Sequence, residues 1–129
     1  MPSARYSREI PSRYRLEGSR CKKCGRGALP ARKTCPACGG TDMEPAKFSD
    51  VGTVLTWTRL HVGAAFMALD TPYGMAVVET EDGCRLTAPL AGADAADLRT
   101  GMKVRLVLRR ITEEGSEGII CYGTKAVPA

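Results

Sequence analysis

The chain has 129 residues, enough for one domain of ordinary size or a small domain beside a minimal one. Hydrophobic residues make up 43% and charged residues 26%, which are globular proportions, while aromatics at 5% are too sparse for an extended stacking surface on single-stranded nucleic acid. No apolar run approaches the roughly 20 residues of a membrane helix. The charged start MPSARYSREIPSRYR lacks the apolar stretch of a secretory signal, so a cytoplasmic location is expected. The formal net charge of +5 is uneven: residues 1–49 hold 11 basic and 4 acidic side chains, residues 50–129 hold 8 and 10.

In chain order, residues 1–20 form a polar, basic lead-in. Tyr6, Ile10 and Tyr14 fall at helical spacing, and Pro11 fits a first helical turn or forces a break, so a short helix or ordered arm is expected. Residues 21–47, dense at first in Cys, Gly and Pro, cannot build a core from side chains and need another anchor. Residues 48–129 read as β structure. VGTVLTWTRLHV, YGMAVVETE, CRLTAPL, KVRLVLRRI and GIICYGTK are five short strands, with Asp82-Gly83 marking a tight hairpin and GADAADLRTGM a turn or short helix between the third and fourth. In KVRLVLRRI, Val104, Leu106 and Leu108 alternate with Lys103, Arg105 and Arg109. The pattern predicts a mainly β protein whose C-terminal part is a five-stranded OB-fold barrel.

Cys21-x-x-Cys24 and Cys35-x-x-Cys38 stand ten residues apart, each pair followed by a glycine, Gly25 and Gly39. A two-residue gap lets both sulfurs of a pair face one metal, and glycine relieves the chain reversal. Four thiolates suit one structural Zn²⁺ in a rubredoxin-like zinc ribbon; Fe²⁺ fits the same geometry. Four equivalent cysteines close the shell, whereas a catalytic zinc keeps an open position. Lys22, Lys23, Arg26, Arg32 and Lys33 surround the pairs. They either offset the site's negative charge or offer a surface to phosphates or an acidic partner.

Nothing else reads as catalytic. His61, the only histidine, belongs to no triad spacing, and Cys84 and Cys121 read as small buried hydrophobes facing the barrel interior. The Gly63–Tyr73 connection is a loop by punctuation but apolar by content. Phe66, Met67 and Leu69 therefore either fold over the barrel or form a contact surface.

The order of Ile10-Pro11-Ser12-Arg13-Tyr14-Arg15-Leu16-Glu17-Gly18, Cys21-x-x-Cys24-Gly25, Leu29-Pro30-Ala31-Arg32, Cys35-Pro36-x-Cys38-Gly39, Gly52-Thr53-Val54, Trp57-Thr58, Pro72-Tyr73, Asp82-Gly83 and Gly101 resembles the DUF35 family of zinc-ribbon/OB-fold acyl-CoA-associated proteins, across residues 8–125. Ala31 departs from it, since many relatives have a second proline there. The resemblance implies a non-catalytic companion subunit that assembles in a hetero-oligomer with a thiolase-superfamily enzyme acting on acyl-CoA. It also implies that the arm and ribbon dock on that partner. Arg32 and Lys33 would then meet CoA phosphates or an acidic partner surface, and Phe66, Met67, Pro72 and Tyr73 would line an acyl-CoA channel. The reading from a different class is a single-stranded nucleic-acid-binding module, which the basic N-terminal part would suit and the acidic, aromatic-poor barrel would not.

Overall fold

The computed structural model describes residues 2–64, 71–92, 95–113 and 115–129. Two short helices, α1 (Pro2–Arg8) and α2 (Ile10–Arg15), lead into a three-stranded antiparallel sheet of β1 (Glu17–Cys21), β2 (Gly27–Ala28) and β3 (Met43–Lys47), ordered β2-β1-β3. Beyond it lie β4 (Val51–Leu60), β5 (Tyr73–Thr80), β6 (Arg85–Pro89), β7 (Lys103–Glu113) and β8 (Ile120–Pro128), ordered β6-β5-β4-β7-β8.

The arm is helical because its residues allow it and broken where proline forces it. Pro11 sits in the first turn of α2, where its missing N–H costs nothing, and the helix breaks just before, at Glu9. The backbone still carries Glu9 N–H to Arg5 O and Arg13 N–H to Glu9 O across that break. Leu16, in the left-handed region at φ 53, ends α2 and turns the chain into β1.

The five C-terminal strands close into a barrel. All neighbours are antiparallel, and the two outer strands meet through a parallel bridge between Leu90 and Ala126, with Ala91 N–H donating to Ala126 O at 2.8 Å. This is the strand order and closure of an OB-fold, as the sequence pattern led us to expect. The Thr80–Cys84 hairpin turns on Gly83 at φ 81, and a 3-10 turn at Ala95–Asp97 connects the third and fourth barrel strands. That turn delivers Leu98 onto Gly74, where a Cβ would collide with its side chain.

The core comprises Val54, Ala76, Val78, Ala88, Leu90, Leu98, Val104, Leu106 and Ala126, joined by Leu16 from the end of the arm. Burying each larger member contributes about 1.5–3 kcal/mol. Two details depart from simple alternation. A bulge between Val54 and Thr56 shifts β4 by one residue, and Leu108, expected inside with Val104 and Leu106, is 43% exposed. The reason is geometric: β4 pairs with β7 only at Lys103–Arg105, so the outer part of the β7–β8 hairpin runs past the barrel.

Ribbon and barrel meet at Phe48, which is 3% exposed. A Cβ on Gly27 would lie 2.5 Å from Phe48 Cε1 and 3.4 Å from Cys84 Cβ, and the Arg20 guanidinium lies 5.3 Å from the Phe48 ring centre. Ser49 N–H donates to Asp82 Oδ2 at 2.9 Å beside this seam. Cys84 is thus buried as expected, but in the seam rather than the barrel interior, and neither it nor Cys121 belongs to the barrel core cluster.

Candidate metal centre and the arginine cleft

The two Cys-x-x-Cys turns are built alike. Gly25 N–H donates to Cys21 O and Gly39 N–H to Cys35 O, while Cys21 N–H reaches Arg26 O and Cys35 N–H reaches Gly40 O. Both glycines adopt positive φ, 78 and 72, which a side chain would strain. The turns face each other. Cys21 and Cys38 sulfurs lie 3.6 Å apart, Cys24 and Cys35 sulfurs 3.4 Å, and all four fall within 4.8 Å of one another. A tetrahedron with metal–sulfur bonds near 2.3 Å has edges of roughly 3.8 Å, which this cluster matches, and no pair is near disulfide length, about 2.05 Å. The four predicted ligands are therefore brought together, and they fit a tetrahedral dication.

The electrostatics agree with that fit. The Cys24 backbone N–H, with that of Lys23, lowers the Cys21 thiol despite burial. The Cys38 N–H, with that of Ala37 and the nearby sulfurs, holds the Cys35 thiol down to about 6. The Arg26 N–H favours a Cys24 thiolate, but its hydrogen bond with Cys35, burial and the other sulfurs together push Cys24 up to about 11. Crowded thiolates oppose the last ionisation, and a bound dication offsets that opposition. By contrast, burial pushes the Cys84 thiol up, which makes it a poor nucleophile.

Arm, ribbon and barrel also enclose a cleft of about 480 Å³. Arg5 and Arg13 enter it from the arm, Arg32 from the ribbon and Arg85 from β6, above Leu29, Pro30 and Leu86. Among the described residues Glu9 is its only acidic lining residue, and it pairs with both arm arginines, at 3.0 Å to Arg5 Nε and 2.7 Å to an Arg13 terminal nitrogen. Burial raises the Glu9 carboxyl, but those two hydrogen bonds and charges outweigh it and lower it overall. Arg85 pairs with Glu79 at 2.8 Å, whereas Arg32 has no ion pair among the described residues. Arg32 is placed through its backbone: its N–H donates to buried Ser19 Oγ at 2.9 Å, and that hydroxyl donates to Arg32 O at 3.1 Å.

The remaining sequence candidates lie apart from this cleft. Lys33 lines a neighbouring groove on the ribbon with Arg32. Pro72 is exposed, and Tyr73 is buried under Gly63, both at the start of β5. The turn after β5 meets the ribbon at Cys84, and these residues lie at the other end of the strand, about 23 Å along it at ~3.3 Å per residue. Phe66 and Met67 lie outside the described residues. Arg5, Glu9, Arg13, Arg85, Ser19 and Phe48 were not read from the sequence as site residues. Their convergence depends on contacts between distant parts of the chain, which leave no local spacing signal.

A four-cysteine ribbon seated on a closed five-stranded barrel defines a zinc-ribbon/OB-fold protein. Residues 8–44 match the ChsH2 rubredoxin-like zinc ribbon domain and residues 46–109 the ChsH2 C-terminal OB-fold domain. The chain belongs to this DUF35 family. A DUF35 domain-containing scaffold protein of Methanocaldococcus jannaschii is 40% identical over 122 residues, covering 94% of this chain and 86% of the relative. The benzoylsuccinyl-CoA thiolase subunit BbsA of Geobacter metallireducens is 32% identical over 113 residues, covering 87% and 75%. The structure described as the Ltp2-ChsH2(DUF35) aldolase superposes with TM-score 0.70 at 26% identity, covering 98% of this chain and 93% of that one. Among the described residues, no helix is long and apolar enough to cross a membrane.

Proposed function

We propose that this chain is a non-catalytic scaffold subunit that assembles in the cytoplasm with a thiolase-type enzyme acting on acyl-CoA, and that it contacts the CoA thioester. The observation that carries the reading is the arginine cleft at the meeting point of arm, ribbon and barrel, in a chain similar to a subunit named for a CoA thiolase. Its size falls within the roughly 300–1,000 Å³ usual for small-molecule sites. Its guanidiniums suit phosphate oxygens, and Arg32 is the one without an internal carboxylate among the described residues. Lys33 adds charge at the rim of the ribbon. Phe66, Met67, Pro72 and Tyr73 serve the acyl end, Pro72 and the buried Tyr73 lying at the start of β5. The four cysteines hold one structural Zn²⁺ that keeps Arg32 in position.

The nucleic-acid reading has less support. Of the aromatics, Tyr73 is buried, Trp57 lies on β4, which does not adjoin β8, and the exposed pair Tyr14 and Tyr122 stands edge to face, a thin stacking platform. The test is co-expression with the thiolase-superfamily subunit of the same organism. Complex formation, thiolase turnover with and without this chain, and CoA affinity are then measured for wild type and Arg32→Glu. A near-equimolar complex with CoA affinity reduced about 10-fold or more in R32E supports the reading. An R32E chain unchanged in both assembly and CoA affinity removes Arg32 from it, and steeply salt-dependent oligonucleotide binding without a thiolase complex overturns it.

A further inference from the structure

Seven large hydrophobic side chains are exposed among the described residues, and four of them fall on one part of the molecule: Tyr14, Leu108, Ile120 and Tyr122. The register shows why three share a face. Leu108 lies opposite Thr124, two residues from Tyr122, which is itself two residues from Ile120. Tyr14 of α2 stands edge-on to Tyr122, ring centres 6.4 Å apart at 89°. Beyond Arg105, β7 has no β4 partner, so this face belongs to a two-stranded overhang. A lone hairpin is marginal in water, and an apolar face on it calls for a cover.

The strip has a charged rim and a defined neighbour. Tyr14 and Leu108 flank a groove of about 460 Å³ whose apolar lining includes Leu16, Phe48 and Leu106. Among the described residues Arg13, Arg15 and Lys47 line it with Asp50; Arg13 and Arg15 also pair with Glu9 and Glu17 outside the groove, at 2.7 and 3.0 Å. Arg13 and Thr124 line both this groove and the arginine cleft, so α2 separates the two.

We propose that this strip is the docking face for the catalytic thiolase-type subunit, which would present apolar side chains edged by Asp or Glu to Tyr14, Leu108, Ile120 and Tyr122. This rests on the function proposed above and names the surface that serves it. A subunit seated there lies against α2, beside the arginine cleft, so an acyl-CoA held by Arg32 is within reach of both chains.

The test uses the co-expressed catalytic subunit and the full chain, with Leu108→Glu, Tyr122→Glu and their combination, and Val62→Glu as a control. Val62 is 90% exposed and follows β4, away from the strip. Affinity is measured by titration calorimetry, and fold by metal content and thermal unfolding. The expected result is a loss of about 10-fold for each single change and about 100-fold for the pair, with V62E unchanged. Wild-type binding retained within about threefold in the folded double variant overturns the docking face and leaves the proposed function standing. Absence of wild-type binding overturns both. Should the glutamate variants fail to fold, amide exchange of the wild-type chain with and without the catalytic subunit reads the same surface. Slowing over residues 106–110 and 120–124 supports the proposal, and unchanged exchange there in a formed complex overturns it. A free chain that is dimeric as wild type and monomeric as L108E also overturns it, because the strip then belongs to a second copy.

Discussion

The hydroxyl of Ser19 both accepts from the N–H and donates to the carbonyl of Arg32, thirteen residues further along the chain. With Ser19 only 5% exposed, little water can replace it. Ser19→Ala therefore leaves two backbone groups without their partner. The expected cost is about 1–3 kcal/mol of unfolding free energy, read from denaturant melts. Faster amide exchange at Arg32, with the metal content unchanged, would separate this local effect from loss of the ribbon.

The ribbon has no hydrophobic core of its own beyond small residues and the Phe48 seam, so the metal must hold it. Structural Zn²⁺ contributes about 10–16 kcal/mol in isolated zinc-finger peptides near neutral pH. Cys35→Ser is expected to lower bound metal from about one per chain to near none by elemental analysis. Because the ribbon covers Phe48 and Cys84, thermal unfolding of the barrel should shift down with it. A C35S chain that keeps its metal and its melting point would contradict the four-cysteine site.

Gly27 tests the seam directly. An alanine there sets a methyl 2.5 Å from Phe48 Cε1 and 2.8 Å from Cζ, on a ring with little room to move. Overpacking of this kind costs about 1–3 kcal/mol, whereas Phe48→Ala, which opens a cavity instead, costs about 3–5 kcal/mol. Chemical denaturation of both variants checks the order.

Glu9 gives the arm a pH dependence. Its carboxyl is lowered in the folded chain by Arg5 and Arg13, so its stabilising effect is present above the unfolded carboxylate pKa, near 4.5, and is lost as pH falls through the lower folded value. Both partners are partly exposed, which keeps the effect under about 1 kcal/mol. Glu9→Gln should reproduce the low-pH behaviour at neutral pH: earlier proteolysis within residues 1–15, with the barrel melt unmoved. Equal protease resistance of E9Q and wild type at pH 7 would show that the pairing does not secure the arm.

Local chemistry was the legible part of the sequence. The Cys-x-x-Cys-Gly repeats encode their own turns, Asp82-Gly83 its hairpin and Pro11 the start of its helix, because each needs only its immediate neighbours. Five strands and their barrel followed from period-two patterning. What escaped was anything fixed by the meeting of distant segments. Leu108 has the right parity for the core, yet it lies beyond the last pairing with β4. Cys84 is as buried as its composition implied, but on the ribbon side. Arg5, Arg32 and Arg85 share a cleft although some 80 residues separate the first and last, a convergence that only the closed fold creates.

Thr124 Oγ1 donates to Arg13 O at 2.9 Å across 111 residues of sequence, and Leu16, just after α2, completes the barrel core. During synthesis the arm therefore leaves the ribosome before the barrel it packs on and finds its seat only once β8 has been made. The ribbon, whose ligands span residues 21–38, can bind metal long before that. The basic helices then wait, tethered to a finished ribbon, with Tyr14 uncovered until Tyr122 arrives. Both faces of α2, the arginine cleft and the apolar strip, come into being in that single late step. A growing chain thus completes neither the cleft nor the strip until its barrel has closed.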